Sequence, residues 1–176
     1  MVADRAAGGH TACSQHPEVY VLVLPAFGYV STLLLSEARG CVVNSSAMTL
    51  ALVSIGAVSM AVYGHHLYTT GLAVDDRSYY AFATYLIAIP TGVKYYTWLG
   101  TLQAAAATAS LQQQAATGFL YYFAVGGLTG VVLADGALDA PLHDAYYVVG
   151  HFHLVMAVAI MYAAAGLLLV ELAVAS

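Results

Sequence analysis

The feature that most constrains this chain is a series of five apolar stretches, each long enough to cross a lipid bilayer as a helix. A bilayer core about 30 Å thick needs about 20 apolar residues in helical form. Because backbone amides find no water in lipid, we expect each stretch to satisfy its own hydrogen bonds as a helix. The predicted spans are residues 16–35, 48–69, 79–102, 118–134 and 145–170.

The scarcity of charged residues excludes most other classes of protein. Hydrophobic residues make up 61% of the 176 residues and charged residues only 7%, whereas a soluble domain carries about 25%. This composition excludes a water-soluble globule and a disordered chain. The net charge of -5 leaves no basic surface for nucleic acid. Cys13 and Cys41 form no CxxC pattern, which argues against a disulfide framework and a thiolate metal site.

The sequence therefore predicts an all-α fold, a polytopic transmembrane bundle of five helices. We expect residues 1–15 to form a hydrophilic tail and residues 16–176 to form the membrane segment. Small residues in the fourth span, Gly126, Gly127 and Gly130, predict a face that packs closely against another helix.

Histidines collect on one side of the predicted bundle. Successive spans alternate in direction, so the starts of odd spans and the ends of even spans share one membrane face. The histidines at that depth are His16, His65, His66, His151 and His153. A single buried histidine is usually a packed, hydrogen-bonded residue, but several ionisable residues together inside a membrane indicate a functional site.

The spacing of these histidines indicates more than one metal centre. His16 and Tyr20 are four residues apart and share a helix face. With His65 and His66, His16 could supply three imidazole nitrogens, which suit copper, zinc, iron or nickel. His151 and His153 are two residues apart and point about 200° apart on a helix, so they suit two separate metal centres.

Other polar residues stand at or inside the spans. Asp139, His143 and Asp144 precede the fifth span, where Asp144 could bind a hard cation such as Mg²⁺. Lys94 lies inside the third span, where a proton-path or counter-ion role and a structural role are alternatives. Glu18, two residues after His16, could pair with a polar neighbour.

A collinear series of motifs resembles the signature of cytochrome c oxidase subunit I, which belongs to the haem–copper oxidase family. The motifs are HPEVY at 16–20, YGHHLYT at 63–69, VDDR at 74–77, IPTGVK at 89–94, VGGLTG at 125–130 and LHDAYYVVGHFH at 142–153. The family fold has twelve transmembrane helices, and the resemblance covers the sixth to the tenth.

The resemblance implies a role for each matching residue. His16, His65 and His66 would bind the copper ion CuB, and Tyr20 would be linked covalently to His16 and donate a proton and an electron. His151 would be the axial ligand of haem a3, and His153 would be an axial ligand of haem a. Phe152 would lie between the two haems, and Asp139 would lie near the haem propionates.

Proton channels and a further metal are implied in the same way. Lys94, Thr91 and Ser31 would line the K proton channel, and Glu18 would end the D channel. The magnesium ligands implied by the resemblance, shared with subunit II, are His143 and Asp144.

The resemblance implies a catalytic-core fragment of a split cytochrome c oxidase subunit I that reduces O₂ to water and pumps protons. Separate chains would supply helices one to five and eleven to twelve. The other expected partners are subunit II with CuA, subunit III, cytochrome c as electron donor, and membrane lipid, with no nucleic acid. The expected location is the mitochondrial inner membrane, with the bacterial plasma membrane as the alternative.

Three other functions stay open at this point. A quinol-oxidising member of the same family would differ in its electron donor. A degenerate fragment would be kept as a structural piece of the complex and hold no copper. A histidine-based transporter of divalent metals would bind zinc and show no haem absorption.

Overall fold

The computed structural model describes residues 2–38, 43–105 and 110–175, with side chains from residue 16 onward. Within these ranges the chain is helical and contains no strand. The elements in chain order are α1 (Val2–Glu37), α2 (Ser45–Ser59), a 3₁₀ helix (Tyr63–Thr70), α3 (Val74–Ala104), α4 (Leu111–Leu133), α5 (Gly136–Leu142), α6 (Tyr146–Phe152), a π segment (His153–Val158) and α7 (Ala159–Ala175).

In the part of the chain that the structure describes, four helical stretches are long and apolar enough to cross a membrane, which agrees with the predicted all-α membrane fold. They are His16–Glu37, Ser45–Thr70, Leu111–Leu133 and Tyr146–Ala175, and they match the first, second, fourth and fifth predicted spans, the last two to within one residue at one end. The third predicted span lies in α3, whose 31 residues are long enough but more polar. Its tyrosines, together with Lys94 and Pro90, lower the hydropathy of that helix.

Helix α1 begins at Val2, well before the start of the first predicted span. The tail, predicted only as hydrophilic, therefore has a helical backbone that runs into the apolar part. Several alanines in residues 2–15 favour this extension, since alanine has the highest helix propensity. Pro17 and Pro25 both lie inside α1.

The second predicted span is a broken helix. Helix α2 ends at Ser59, and the 3₁₀ helix that follows ends at Thr70, where Gly71 caps it with a positive φ of 83°. His65 and His66 both lie on this 3₁₀ helix. Adjacent side chains on a helix with three residues per turn diverge by about 120°, somewhat more than on an α-helix.

The fifth predicted span changes its hydrogen-bond pattern in the middle. Helix α6 passes at Phe152 into the π segment, which begins at His153 and leads into α7. A π segment adds a residue to one turn and shifts the helix face on either side, and such segments are frequent at functional sites.

The core joins α1, α3, α4 and α7 around aromatic side chains. The Phe27 ring lies 5.1 Å from that of Trp98 and 5.4 Å from that of Phe123. Trp98 also contacts Phe119, with ring centroids 5.6 Å apart and edge to face. This geometry is the one that aromatic quadrupoles favour. Gly166 of α7 packs against Leu33, which lets α7 approach α1 closely.

Candidate metal centre

Three histidines from two elements form a nitrogen cluster. His16 projects from α1, and His65 and His66 project from the 3₁₀ helix that packs beside it. The Nδ1 atom of His16 lies 3.4 Å from Nε2 of His66, and Nε2 of His65 lies 3.1 Å from the same nitrogen. One ring nitrogen from each histidine lies within 4.8 Å of the other two. We call these three residues the His cluster.

The His cluster has a free nitrogen in a buried place. His16 is only 6% exposed, and its Nε2 atom has no hydrogen-bond partner among the described residues. An unpaired buried polar atom costs free energy. The His16 nitrogen that faces His66 is Nδ1, so a metal ion in the cluster would bind Nδ1 and leave Nε2 to another partner. A neutral imidazole nitrogen is a common ligand for copper, zinc and iron. The donor set therefore fits a transition metal.

A neighbouring threonine fixes the protonation of one ring in the His cluster. The Thr84 hydroxyl donates to the backbone oxygen of Tyr80, 2.6 Å away. It must therefore accept from Nδ1–H of His65, which lies 3.0 Å from it. That tautomer leaves Nε2 of His65 unprotonated and directed to the cluster, and such outer partners orient metal ligands. Tyr20 lies on the other side, with its ring 4.7 Å from that of His16.

His151 has a similar arrangement at a separate place. Its Nδ1–H donates to the backbone oxygen of Gly126 on α4, at 2.8 Å. Thr129 lies 3.2 Å from the same nitrogen and donates its own hydroxyl to Gly126. Gly126 of α4 packs closely against Val155, and Gly130 packs closely against His151, as predicted for these two glycines. The third predicted residue, Gly127, faces open space. The Nε2 atom of His151 is left free for a metal ion.

His153 lies at the start of the π segment. Its Nδ1–H donates to the backbone oxygen of Val149, 2.8 Å away, and this also leaves Nε2 free. The ring is exposed and lies tilted against that of Phe152, which is itself 44% exposed, with centroids 4.2 Å apart. His151 and His153 therefore bond to different partners, and each can offer Nε2 to a group outside the helix.

Two carboxylates surround His143 at the end of α5. The Nδ1 atom of His143 lies 3.4 Å from Asp139, and its Nε2 atom lies 3.6 Å from Asp144. Asp139 is buried, and this burial raises the pKa of its carboxyl group. Asp144 is exposed and takes a left-handed conformation, with φ at 56°. Carboxylate oxygens here are of the type that a hard cation prefers.

The predicted proton-channel residues are only partly brought together. Lys94 and Ser31 line a cavity of about 160 Å³ between α1, α2 and α3. Thr91 does not line this cavity and donates to the backbone oxygen of Ile87, at 2.7 Å. Glu18 is exposed, although His16, two residues earlier, is buried.

Sequence reasoning missed the residues that orient the predicted ligands. Thr84 lies 19 residues from His65 in sequence and Thr129 lies 22 residues from His151. Both contacts join different helices, and threonine is common in such helices. No spacing rule in a single sequence would select them.

Comparison with known proteins agrees with the resemblance of the motifs. Residues 13–172 match the family described as Cytochrome C and Quinol oxidase polypeptide I. Cytochrome c oxidase subunit 1 of Pecten maximus is 47% identical over 142 residues, that of Candida albicans 41% over 147, and that of Cereibacter sphaeroides 44% over 141. These alignments cover 80–84% of this chain and 25–30% of the relatives, so the chain spans less than a third of their length. The chain belongs to the cytochrome c and quinol oxidase polypeptide I family.

Proposed function

We propose that this chain is the part of subunit I of a cytochrome c oxidase that holds the metal ligands for reduction of O₂ to water, coupled to proton pumping. The observation that carries this proposal is the His cluster, in a chain that belongs to an oxidase family. Haem and copper are the cofactors that the family implies, and when bound they supply the redox chemistry. The protein supplies ligands, distances and protons.

In this proposal His16, His65 and His66 hold the copper ion CuB. Each ring must present an unprotonated nitrogen, and Thr84 enforces that state at His65. Tyr20 has its ring beside that of His16, so its hydroxyl is suited to supply a proton near the same ion.

His151 and His153 hold the two haems through their Nε2 atoms. Hydrogen bonds from Nδ1–H to backbone carbonyls support this role, because they fix the tautomer that a haem iron requires. The proposed haem a3 ligand is His151 and the proposed haem a ligand is His153. Phe152 lies between them in sequence, and Asp139 is proposed to lie near the haem propionates.

Protons reach the centre through side chains of this chain. We place Lys94, Ser31 and Thr91 in one path, supported by the cavity that the first two share. Glu18 is proposed at the end of a second path. His143 and Asp144 are proposed as magnesium ligands next to subunit II, supported by their oxygen and nitrogen atoms at the end of α5.

Cytochrome c is the proposed electron donor. The family description covers both cytochrome c and quinol oxidases, but the relatives compared above all have the name cytochrome c oxidase subunit 1. We also propose assembly with subunits II and III and a location in the mitochondrial inner membrane.

The test is a native membrane complex in which this chain has been identified by its peptides. We expect haem bands in its reduced-minus-oxidised spectrum, copper in its metal analysis, and O₂ uptake driven by reduced cytochrome c. O₂ uptake driven by quinol alone would favour the quinol-oxidising alternative. Zinc without haem would contradict an oxidase and favour a metal transporter.

The remaining helices of the fold lie outside these 176 residues. Their supply by separate chains stays a prediction. The mass of the polypeptide that contains the HPEVY motif, measured in the native complex, tests it. A mass that includes helices one to five would contradict the split arrangement.

A further inference from the structure

Lys94 is a buried lysine, and no carboxylate lies close to it in the part of the chain that the structure describes. Its side chain is 2% exposed, and in the described part of the chain no carboxylate lies within 4.0 Å of its Nζ atom. It is the only lysine in the sequence. Among the described residues its hydrogen-bond acceptor is the sulfur of Met48, at 3.0 Å, and a thioether is a weak acceptor. When this amine is protonated, the ammonium group needs a further interaction to offset its burial.

Two aromatic rings provide that interaction. The Nζ atom of Lys94 lies 4.9 Å from the ring centroid of Trp98 and 5.2 Å from that of Phe27. Both distances fall within the range of a cation–π interaction, which is strongest at tryptophan and where water is excluded. Trp98 itself is fully buried.

Trp98 also holds a second residue of the cavity. Its indole N–H donates to the Ser31 hydroxyl oxygen at 3.0 Å, and that hydroxyl donates to the backbone oxygen of Phe27 at 2.7 Å. The Ser31 side chain is therefore fixed by two hydrogen bonds. Three polar residues line this cavity, Ser31, Thr49 and Lys94. Trp98 contacts two of them, Lys94 and Ser31.

We propose that Trp98 is a positioning residue for proton transfer: its ring face holds the ammonium of Lys94 and its N–H holds the hydroxyl of Ser31. This inference rests on the proposed function, in which Lys94 passes protons. It differs from a purely structural role, in which Trp98 would only fill the aromatic core. The two roles make different predictions for substitutions that keep or remove the ring.

The test uses the assembled oxidase with four variants. Trp98→Leu removes the ring and the N–H, and Trp98→Phe keeps an aromatic face but removes the N–H. Phe119→Leu is the matched control, because Phe119 is fully buried against Trp98 and belongs to the same core. Lys94→Met shows which NMR signal comes from this lysine and how much of the turnover depends on it.

The first readout is the position of Lys94, measured by solid-state NMR on lysine-labelled complex. Protons near a ring face resonate upfield, so we expect the ε-CH₂ signal that Lys94→Met abolishes to lie upfield of ordinary lysines. The upfield shift should persist in Trp98→Phe and Phe119→Leu and be clearly reduced in Trp98→Leu, where the Phe27 ring remains near Nζ. An unchanged shift in Trp98→Leu would overturn the proposal. A wild-type signal at the ordinary lysine position would overturn the proposal, even if Trp98→Leu does not assemble.

The second readout is turnover with reduced cytochrome c. We expect roughly a tenfold loss in Trp98→Leu, a smaller loss in Trp98→Phe and little change in Phe119→Leu. Equal losses in Trp98→Leu and Phe119→Leu would overturn the proposal and leave a packing role. If Lys94→Met turned over like the wild type, the proposed proton path itself would be wrong, which is a separate outcome.

Discussion

The chemistry of single residues here depends on which nitrogen of each histidine is free. At His65, His151 and His153 the Nδ1–H group has an oxygen partner, a threonine hydroxyl or a backbone carbonyl. In each ring this leaves Nε2 as the unprotonated atom. The protein thus selects the tautomer before a metal arrives, which lowers the reorganisation that binding requires.

Thr84 gives a test of that selection. Replacing it with alanine removes the acceptor for Nδ1–H of His65, so we expect copper affinity to fall about tenfold or more. Thr84→Ser should retain the affinity, because it keeps the hydroxyl. Chelator competition on the assembled complex measures the change. Thr117→Ala is the control, since Thr117 is exposed and bonds only its own helix. An unchanged copper affinity in Thr84→Ala would contradict the proposal that Thr84 selects the tautomer of His65.

Gly130 tests the space reserved for His151. A Cβ atom at Gly130 would lie 2.6 Å from the Cε1 atom of His151, so Gly130→Ala should displace the ring. Overpacking of this kind costs about 1–3 kcal/mol, and we expect lower haem content in the purified complex. Gly127→Ala is the matched control, because nothing lies within 4 Å of its added Cβ. Equal haem content in the two variants would show that His151 tolerates the shift.

The type of a residue decides whether its functional role can be predicted from the sequence alone. Histidines and a lysine inside apolar spans stand out because their burial is costly. Thr84 and Trp98 do not stand out, because threonine and tryptophan are unremarkable in membrane helices. Their importance lies in contacts to His65 and Ser31, made across 19 and 67 residues of sequence. Those contacts require the fold to be known.

The elements differ from ideal α-helices where the histidines lie. His65 and His66 are on a 3₁₀ helix, and His153 starts a π segment. The sequence predicts where the apolar spans lie, because run length and composition are enough for that. It does not predict these local changes, because the period of apolar residues does not distinguish one turn of 3₁₀ or π helix from the α-helix around it.

The π segment is tested by shortening it. Deleting Ala157, an exposed residue within the segment, should restore an α-helix and rotate His151 by about 100° relative to α7. We expect haem binding to be lost while circular dichroism shows unchanged helix content. Deleting Leu172 near the end of α7 is the control, since it alters no histidine. Normal haem content after the Ala157 deletion would contradict a role for the segment.

The whole molecule is held by close helix contacts around one aromatic core. Large apolar side chains such as Val21, Leu50 and Met161 remain exposed, as expected for surfaces that meet lipid or other helices. The chain spans less than a third of its relatives' length, so a large part of the family fold lies outside it.

Gly166 tests the contact between α1 and α7. A side chain at this position would collide with Leu33 and lie 3.2 Å from Cβ of Ala115. We expect Gly166→Val to destabilise the bundle by about 1–3 kcal/mol, measured as a lower temperature for loss of haem absorption. Gly56→Ala should have little effect, because nothing lies within 4 Å of its added Cβ. Equal temperatures for the two variants would argue against tight packing here.

The central claim is that His16, His65 and His66 hold copper in an oxidase. X-ray absorption at the copper edge of the purified complex tests it most directly, in the wild type, in His16→Ala and in the control His143→Ala. We predict a copper ion with imidazole nitrogen ligands that is lost in His16→Ala and retained in His143→Ala. The same copper content and spectrum in all three proteins would contradict the claim.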